Sequence, residues 1–167
     1  PERILEVGCA TGRLLGRLES PGSSLVGLDL SPAALQRVPT NSHSPVVQGN
    51  AEAMPFADDS FDFVIANHII EHTDDADRLM AEIARVTRSE GVVFLSYPNE
   101  PIRGLYASLG SLLLFGHPFG GRRMHLRKVR PDYFDDIPNV PTLKHIASRH
   151  SWLPMPQYFT TLTKLPA

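Results

Sequence analysis

Five short apolar runs, separated by turn signals and helix-like stretches, limit what this chain can fold into. Residues 3–7 (Arg-Ile-Leu-Glu-Val), 25–28, 45–48, 61–66 and 92–96 read as strands. Between them, residues 12–19 place Leu14, Leu15 and Leu18 at helical spacing. Ser31 and Pro32 supply an N-cap and a first-turn proline for a helix reaching about Arg37. Asp74 or Asp75 caps a longer helix to about Arg88, with Leu79, Ile83 and Val86 on one face and Gly91 as its terminator. Alternation of this kind predicts an α/β fold: a Rossmann-like, doubly wound, mostly parallel sheet covered on both faces. Ligands of such sheets bind beyond the carboxyl ends of the strands, where the strand order reverses. The residues just after each strand are therefore the ones to ask about chemistry.

The pattern changes after residue 96. Pro98 and Pro101 interrupt the chain, and residues 105–115 are apolar, punctuated by Gly104, Gly110 and Gly116. That run is short of the ~20 residues that span a bilayer and reads as a helix or lid. Residues 142–150 are expected to form a helix and residues 157–165 a closing strand. Charge divides the same way. Residues 1–100 hold 7 Lys/Arg against 15 Asp/Glu, a net of −8, and residues 101–167 hold 9 against 3, a net of +6. The total of −2 excludes an obligate polyanion binder for the chain as a whole. With 167 residues the chain is one domain. Residues 1–99 are read as a cofactor-binding core, and residues 100–167 as a substrate-side insertion and the C-terminal end of the same domain. A single cysteine excludes an internal disulfide and fits a reducing, cytoplasmic compartment. The chain opens without a methionine or a signal peptide, as a piece of a longer protein would.

The first strand runs into Glu6-Val7-Gly8-Cys9-Ala10-Thr11-Gly12. This is G-x-x-x-G and lacks the dinucleotide spacing G-x-G-x-x-G. An acid ahead of the first glycine suits a cationic or amine-bearing ligand better than a pyrophosphate. Asp29 ends the second strand, where a carboxylate can accept from both hydroxyls of a ribose. Cys9 reads as a small packed residue. His68-Ile69-Ile70-Glu71-His72 matches H-x-x-E-H literally, but it follows directly on a buried strand and has no later ligand helix, so no metal is expected.

Taken with residues 49–56 and Ser60-Phe61-Asp62, these motifs resemble class I S-adenosylmethionine-dependent methyltransferases. The similarity is to the small-molecule branch that includes ubiquinone- and menaquinone-biosynthesis enzymes, over about Arg3 to Asn99. The resemblance implies S-adenosyl-L-methionine as cofactor. It implies that Glu6, Gly8, Cys9 and Gly12 line its methionine part, that Asp29 binds the ribose and that Leu30 packs on the adenine. Asn50 and Ala51 would meet the adenine edge, Asn67 would offer its carbonyl to the cofactor amine, and His68 would flank the methionyl region. Two positions depart from the family: Ala10 stands where glycine is usual, and Asn50 where Asp is common. The family's N-terminal covering helices are absent from this sequence. Of its final antiparallel pair only one strand is recognisable.

The implied reaction is methyl transfer to a small-molecule acceptor, anionic or hydrophobic. The alternative is a non-catalytic S-adenosylmethionine-binding or interaction module with a truncated fold. A nicotinamide-linked oxidoreductase is disfavoured by the glycine spacing. Methyl transfer needs a base only if the acceptor must lose a proton, and His72, His68 and Tyr97 are the candidates after the fourth and fifth strands, His72 first. Residues 122–130 carry five Arg/Lys, and Arg122, Arg123 and Arg127 are candidates for holding an anionic group on the acceptor. Nucleic acid is disfavoured because few aromatic residues interleave this stretch. The oligomeric state is left open.

Overall fold

The computed structural model describes residues 2–19, 22–99, 129–152 and 156–166. Seven strands form one sheet: β1 (Arg3–Val7), β2 (Ser24–Asp29), β3 (Val46–Gln48), β4 (Phe61–Asn67), β5 (Thr87–Pro98), β6 (Leu143–Ser151) and β7 (Gln157–Lys164). Their spatial order is β3-β2-β1-β4-β5-β7-β6. The first five strands are mutually parallel, while β7 runs antiparallel to both β5 and β6. The order reverses between β1 and β4, so a crevice is expected beyond the carboxyl ends of these two strands.

Alternation along the strands separates two cores. Leu5 and Val7 of β1 belong to the larger cluster, while Ile4 packs against a smaller one formed by Cys9, Leu15 and Leu25. The larger cluster takes the apolar face of α3 (Ala76–Val86), where Leu79, Met80 and Ile83 are fully buried. Each such side chain contributes about 1.5–3 kcal/mol. Asp75 caps α3 by accepting from the Arg78 amide at 3.0 Å, as the sequence suggested. The smaller cluster takes α1 (Leu15–Leu18). Ser31 caps α2 (Pro32–Leu35) at the Ala34 amide.

Three expectations are corrected. Helix α3 stops at Val86, and β5 begins at Thr87 rather than after Gly91. Thr87 takes the helix end: its amide and its hydroxyl both donate to the Ile83 carbonyl. The chain then kinks, with Glu90 at φ +61 and a register shift opposite Phe61 and Phe63. Residues 143–151 form a strand, not a helix. Leu143, Ile146 and Ala147 mimic helical spacing because β6 carries an irregularity between His145 and Ala147, which leaves Ile146 57% exposed. Both strands of the antiparallel pair are therefore present. The apolar run at 105–115 lies outside the described residues, as does residues 122–128 of the basic stretch.

Candidate cofactor and acceptor site

The loop after β1 is built on backbone hydrogen bonds. The amides of Gly8 and Cys9 both donate to the Leu28 carbonyl, at 2.8 and 3.0 Å, and the Gly12 amide donates to the Cys9 carbonyl at 2.9 Å. Gly8 and Gly12 adopt φ +76 and +73, where L side chains are disfavoured. A Cβ on either would also crowd a neighbour, Ile69 or Val38, at 3.1 Å. Ala10 stands between them at φ +49. The family's usual glycine would relieve that strain, and Ala10 carries it at a cost of about 1–2 kcal/mol.

Asp29 ties this loop to the start of α2. Its Oδ2 accepts from the Ala10 amide and its Oδ1 from the Ser31 amide, each at 2.8 Å. A carboxylate so fixed keeps further lone pairs for hydroxyl donors. Leu30, the next residue, is 66% exposed, an unusual position for a large apolar side chain and one suited to a flat apolar ligand face. Asn50 is exposed just beyond β3, and its Oδ1 accepts from the Glu52 amide at 2.9 Å. Ala51 is half-buried against the larger core.

Glu6 is 3% exposed, and its Oε2 has no hydrogen-bond partner among the described residues. Burial pushes its carboxyl up to about 7. The nearby Asp29 charge adds to the rise, and a hydrogen bond from the Leu15 amide and the Arg13 charge oppose it. A buried acid with an orphaned oxygen is costly unless something pairs with it. An ammonium group is the ligand that would satisfy it. Cys9 is 3% exposed and its thiol is pushed up to about 12, chiefly by burial and then by the Glu6 and Asp29 charges. It lines the loop as a packed, unreactive side chain.

At the end of β4, Asn67 Oδ1 accepts from the Ser96 hydroxyl, and the His68 amide donates to the Ser96 carbonyl at 2.9 Å. His68 follows at φ +54. Its Nδ1 lies 2.9 Å from Glu71 Oε1, and its Nε2 lies 3.0 Å from Gln157 Oε1. Of the H-x-x-E-H residues, His68 and Glu71 thus engage each other, while His72 is exposed. Tyr97 is fully buried, with its hydroxyl 2.9 Å from Thr160 Oγ1 and its acidity suppressed to about 12, chiefly by burial. A phenol in that state is a poor base at neutral pH. Arg122, Arg123 and Arg127 lie outside the described residues.

The structure thus joins Asp29 to the 8–12 loop by a direct bond, keeps Glu6 on the strand that leads into that loop, and places Asn67 and His68 at the end of the adjoining strand. Gln157 had no sequence signal, since it meets His68 across 89 residues of chain. Glu71 was visible in its motif, but nothing in the sequence paired it with His68.

A parallel sheet in this order with β7 antiparallel, together with an acid–glycine loop and an acid after β2, defines the Rossmann-like fold of class I methyltransferases. The comparisons agree. Residues 5–95, more than half the chain, match the family described as methyltransferase domain, and the chain belongs to that family. A malonyl-[acyl-carrier protein] O-methyltransferase from Halorhodospira halophila is 34% identical over 122 residues, covering 66% of this chain and 41% of the relative. One of the same name from Methylococcus capsulatus is 33% identical over 148 residues, covering 82% of this chain and 53% of the relative. The chain therefore spans about half the length of these relatives. A SAM-dependent methyltransferase structure from Methanosarcina mazei superposes with a TM-score of 0.76 at 17% identity, covering 99% of this chain and 93% of that one. S-adenosylmethionine is the cofactor of this class. The residues present fit it: the orphaned Glu6 oxygen suits its ammonium, and Asp29 and Leu30 suit its nucleoside. Among the described residues, no helix is long and apolar enough to cross a membrane.

Proposed function

We propose that this chain carries out S-adenosylmethionine-dependent methyl transfer to a small-molecule acceptor in the cytoplasm, and that the methylated group is a carboxylate. The observation that carries the first part is the pair of carboxylates at the strand ends: Glu6, buried with one oxygen unpartnered, and Asp29, fixed by two backbone amides. The names of the two relatives support the second part. When bound, the cofactor supplies an electrophilic methyl group on a sulfonium, so the protein needs no nucleophile of its own. Its work is alignment, worth up to about 7–11 kcal/mol. Glu6 and the 8–12 loop would hold the amino-acid end, Asp29 the ribose, Leu30, Asn50 and Ala51 the adenine, and the Asn67 carbonyl the amine. A carboxylate acceptor is already a nucleophile and needs no base, which accords with the poor fitness of Tyr97 as one. Titration calorimetry tests the cofactor: S-adenosylhomocysteine should bind and NAD should not. Mass spectrometry of malonyl-N-acetylcysteamine incubated with the protein and S-adenosylmethionine tests the acceptor. It should gain one methyl on its free carboxylate, and an unaltered probe counts against the carboxylate reading.

A further inference from the structure

Glu71 is 1% exposed, and its Oε2 has no hydrogen-bond partner among the described residues. Its other oxygen faces His68 Nδ1 at 2.9 Å, and the opposite ring nitrogen faces Gln157 Oε1 at 3.0 Å. Both ring nitrogens of His68 therefore face oxygen acceptors. With Glu71 ionised, a neutral imidazole has one N–H to give, and only the imidazolium can donate to both. The buried Glu71 carboxylate favours the same state, because a buried charge is tolerated when an opposite charge pairs with it. The imidazole is not sequestered: 37% of the His68 side chain is exposed, at the carboxyl end of β4 beside the point where strand order reverses. Its backbone is held at φ +54, an uncommon state for a non-glycine residue, where strain often accompanies a site.

We propose that His68, kept doubly protonated and positioned by Glu71, holds the acceptor's carboxylate through its Nε2–H, and that Gln157 Oε1 is the stand-in partner when no acceptor is bound. Gln157 Oε1 then marks the place of one acceptor oxygen. Among the described residues, Glu71 faces the ring from its own loop and the neutral amide of Gln157 faces it from β7. A charge-assisted bond from a fixed cation discriminates a carboxylate from a neutral carbonyl or hydroxyl. This inference rests on the carboxylate reading above, and it separates His68 from the cofactor grip.

Two measurements test it. In the 15N-labelled chain, the His68 ring, identified by the signals lost in His68→Asn, should be protonated on both nitrogens at pH 7 and revert to a neutral ring in Glu71→Gln. A neutral His68 ring in the unaltered protein would overturn the proposal whatever the acceptor is. With malonyl-N-acetylcysteamine as probe, His68→Asn should raise KM about tenfold, more than it lowers kcat. The affinity for S-adenosylhomocysteine should stay within about twofold. Asn tolerates the left-handed backbone, so the variant should fold. An unchanged KM overturns the proposal, as does an equal loss of S-adenosylhomocysteine affinity, which would return His68 to the cofactor. Failure of the unaltered protein to methylate the probe removes the carboxylate reading, and the ring state is read separately.

Discussion

The Ala10 amide donates to Asp29 Oδ2 at 2.8 Å, so the glycine loop and the acid after β2 are one unit. Asp29 therefore has two tasks: it shapes the loop that would hold the methionine end of the cofactor, and it would meet the ribose. Asp29→Ala should weaken S-adenosylhomocysteine binding by about 1–3 kcal/mol, since a loop clamp is lost along with hydroxyl contacts. Titration calorimetry measures this. Unchanged affinity would remove Asp29 from the site.

Ala10→Gly should stabilise the protein. Relief of the left-handed strain gains about 1–2 kcal/mol, and the extra freedom of glycine in the unfolded chain takes back about 0.4–1 kcal/mol. Urea denaturation should show a midpoint shifted upward by the remainder. A lower midpoint would mean that the Ala10 methyl makes a contact worth more than its strain.

In the proposed cofactor site, Glu6 would link cofactor grip to pH. Its carboxyl rises from 4.5 to about 7 in the folded chain, chiefly through burial. Between those values the folded state retains a proton that the unfolded chain releases, so this group's contribution makes stability fall as pH rises from 4.5 to 7 and level off above. Glu6→Gln should remove that slope and raise the melting temperature at pH 8, by at most about 3 kcal/mol in stability. The same substitution should weaken S-adenosylmethionine binding, because the amide cannot pair with an ammonium as a carboxylate does. A melting temperature at pH 8 no higher than that of the parent would contradict this account of Glu6.

Cys9 should be silent toward thiol reagents in the folded protein. It is buried and its thiol is pushed up to about 12, so almost no thiolate exists at pH 8. Ellman's reagent should react only as the chain unfolds, and the rate should track urea concentration. Rapid reaction in the native state would place Cys9 in an accessible loop.

The parallel half of the fold was readable because its central strands are largely buried and announce themselves as apolar runs. The Gly8–Gly12 spacing and Asp29 were readable for a related reason: their conformations and charges are local demands on the chain. Strand β6 was not, since the extra residue at Ile146 breaks the two-residue alternation by which a strand is recognised and leaves a helix-like spacing of Leu143, Ile146 and Ala147. Glu71 and Gln157 were not, because what matters about them is a meeting at His68 that only the sheet order produces. Tyr97 looked available from its position just after the predicted strand 92–96, yet it lies inside β5, with the aromatic rings of Phe134 and Tyr158 packed beside it.

The placement of β7 between β5 and β6 has a consequence for synthesis. Pro98 ends β5 and Gln157 begins its antiparallel partner, so the ribosome makes 59 residues before β5 can be paired on that side. At ordinary translation speeds this leaves the edge bare for roughly 3–12 s. The edge includes Val92, Val93, Phe94 and Leu95, the sort of sequence that recruits stray strands. A nascent chain carrying this sheet should depend on chaperone cover until β7 has been made.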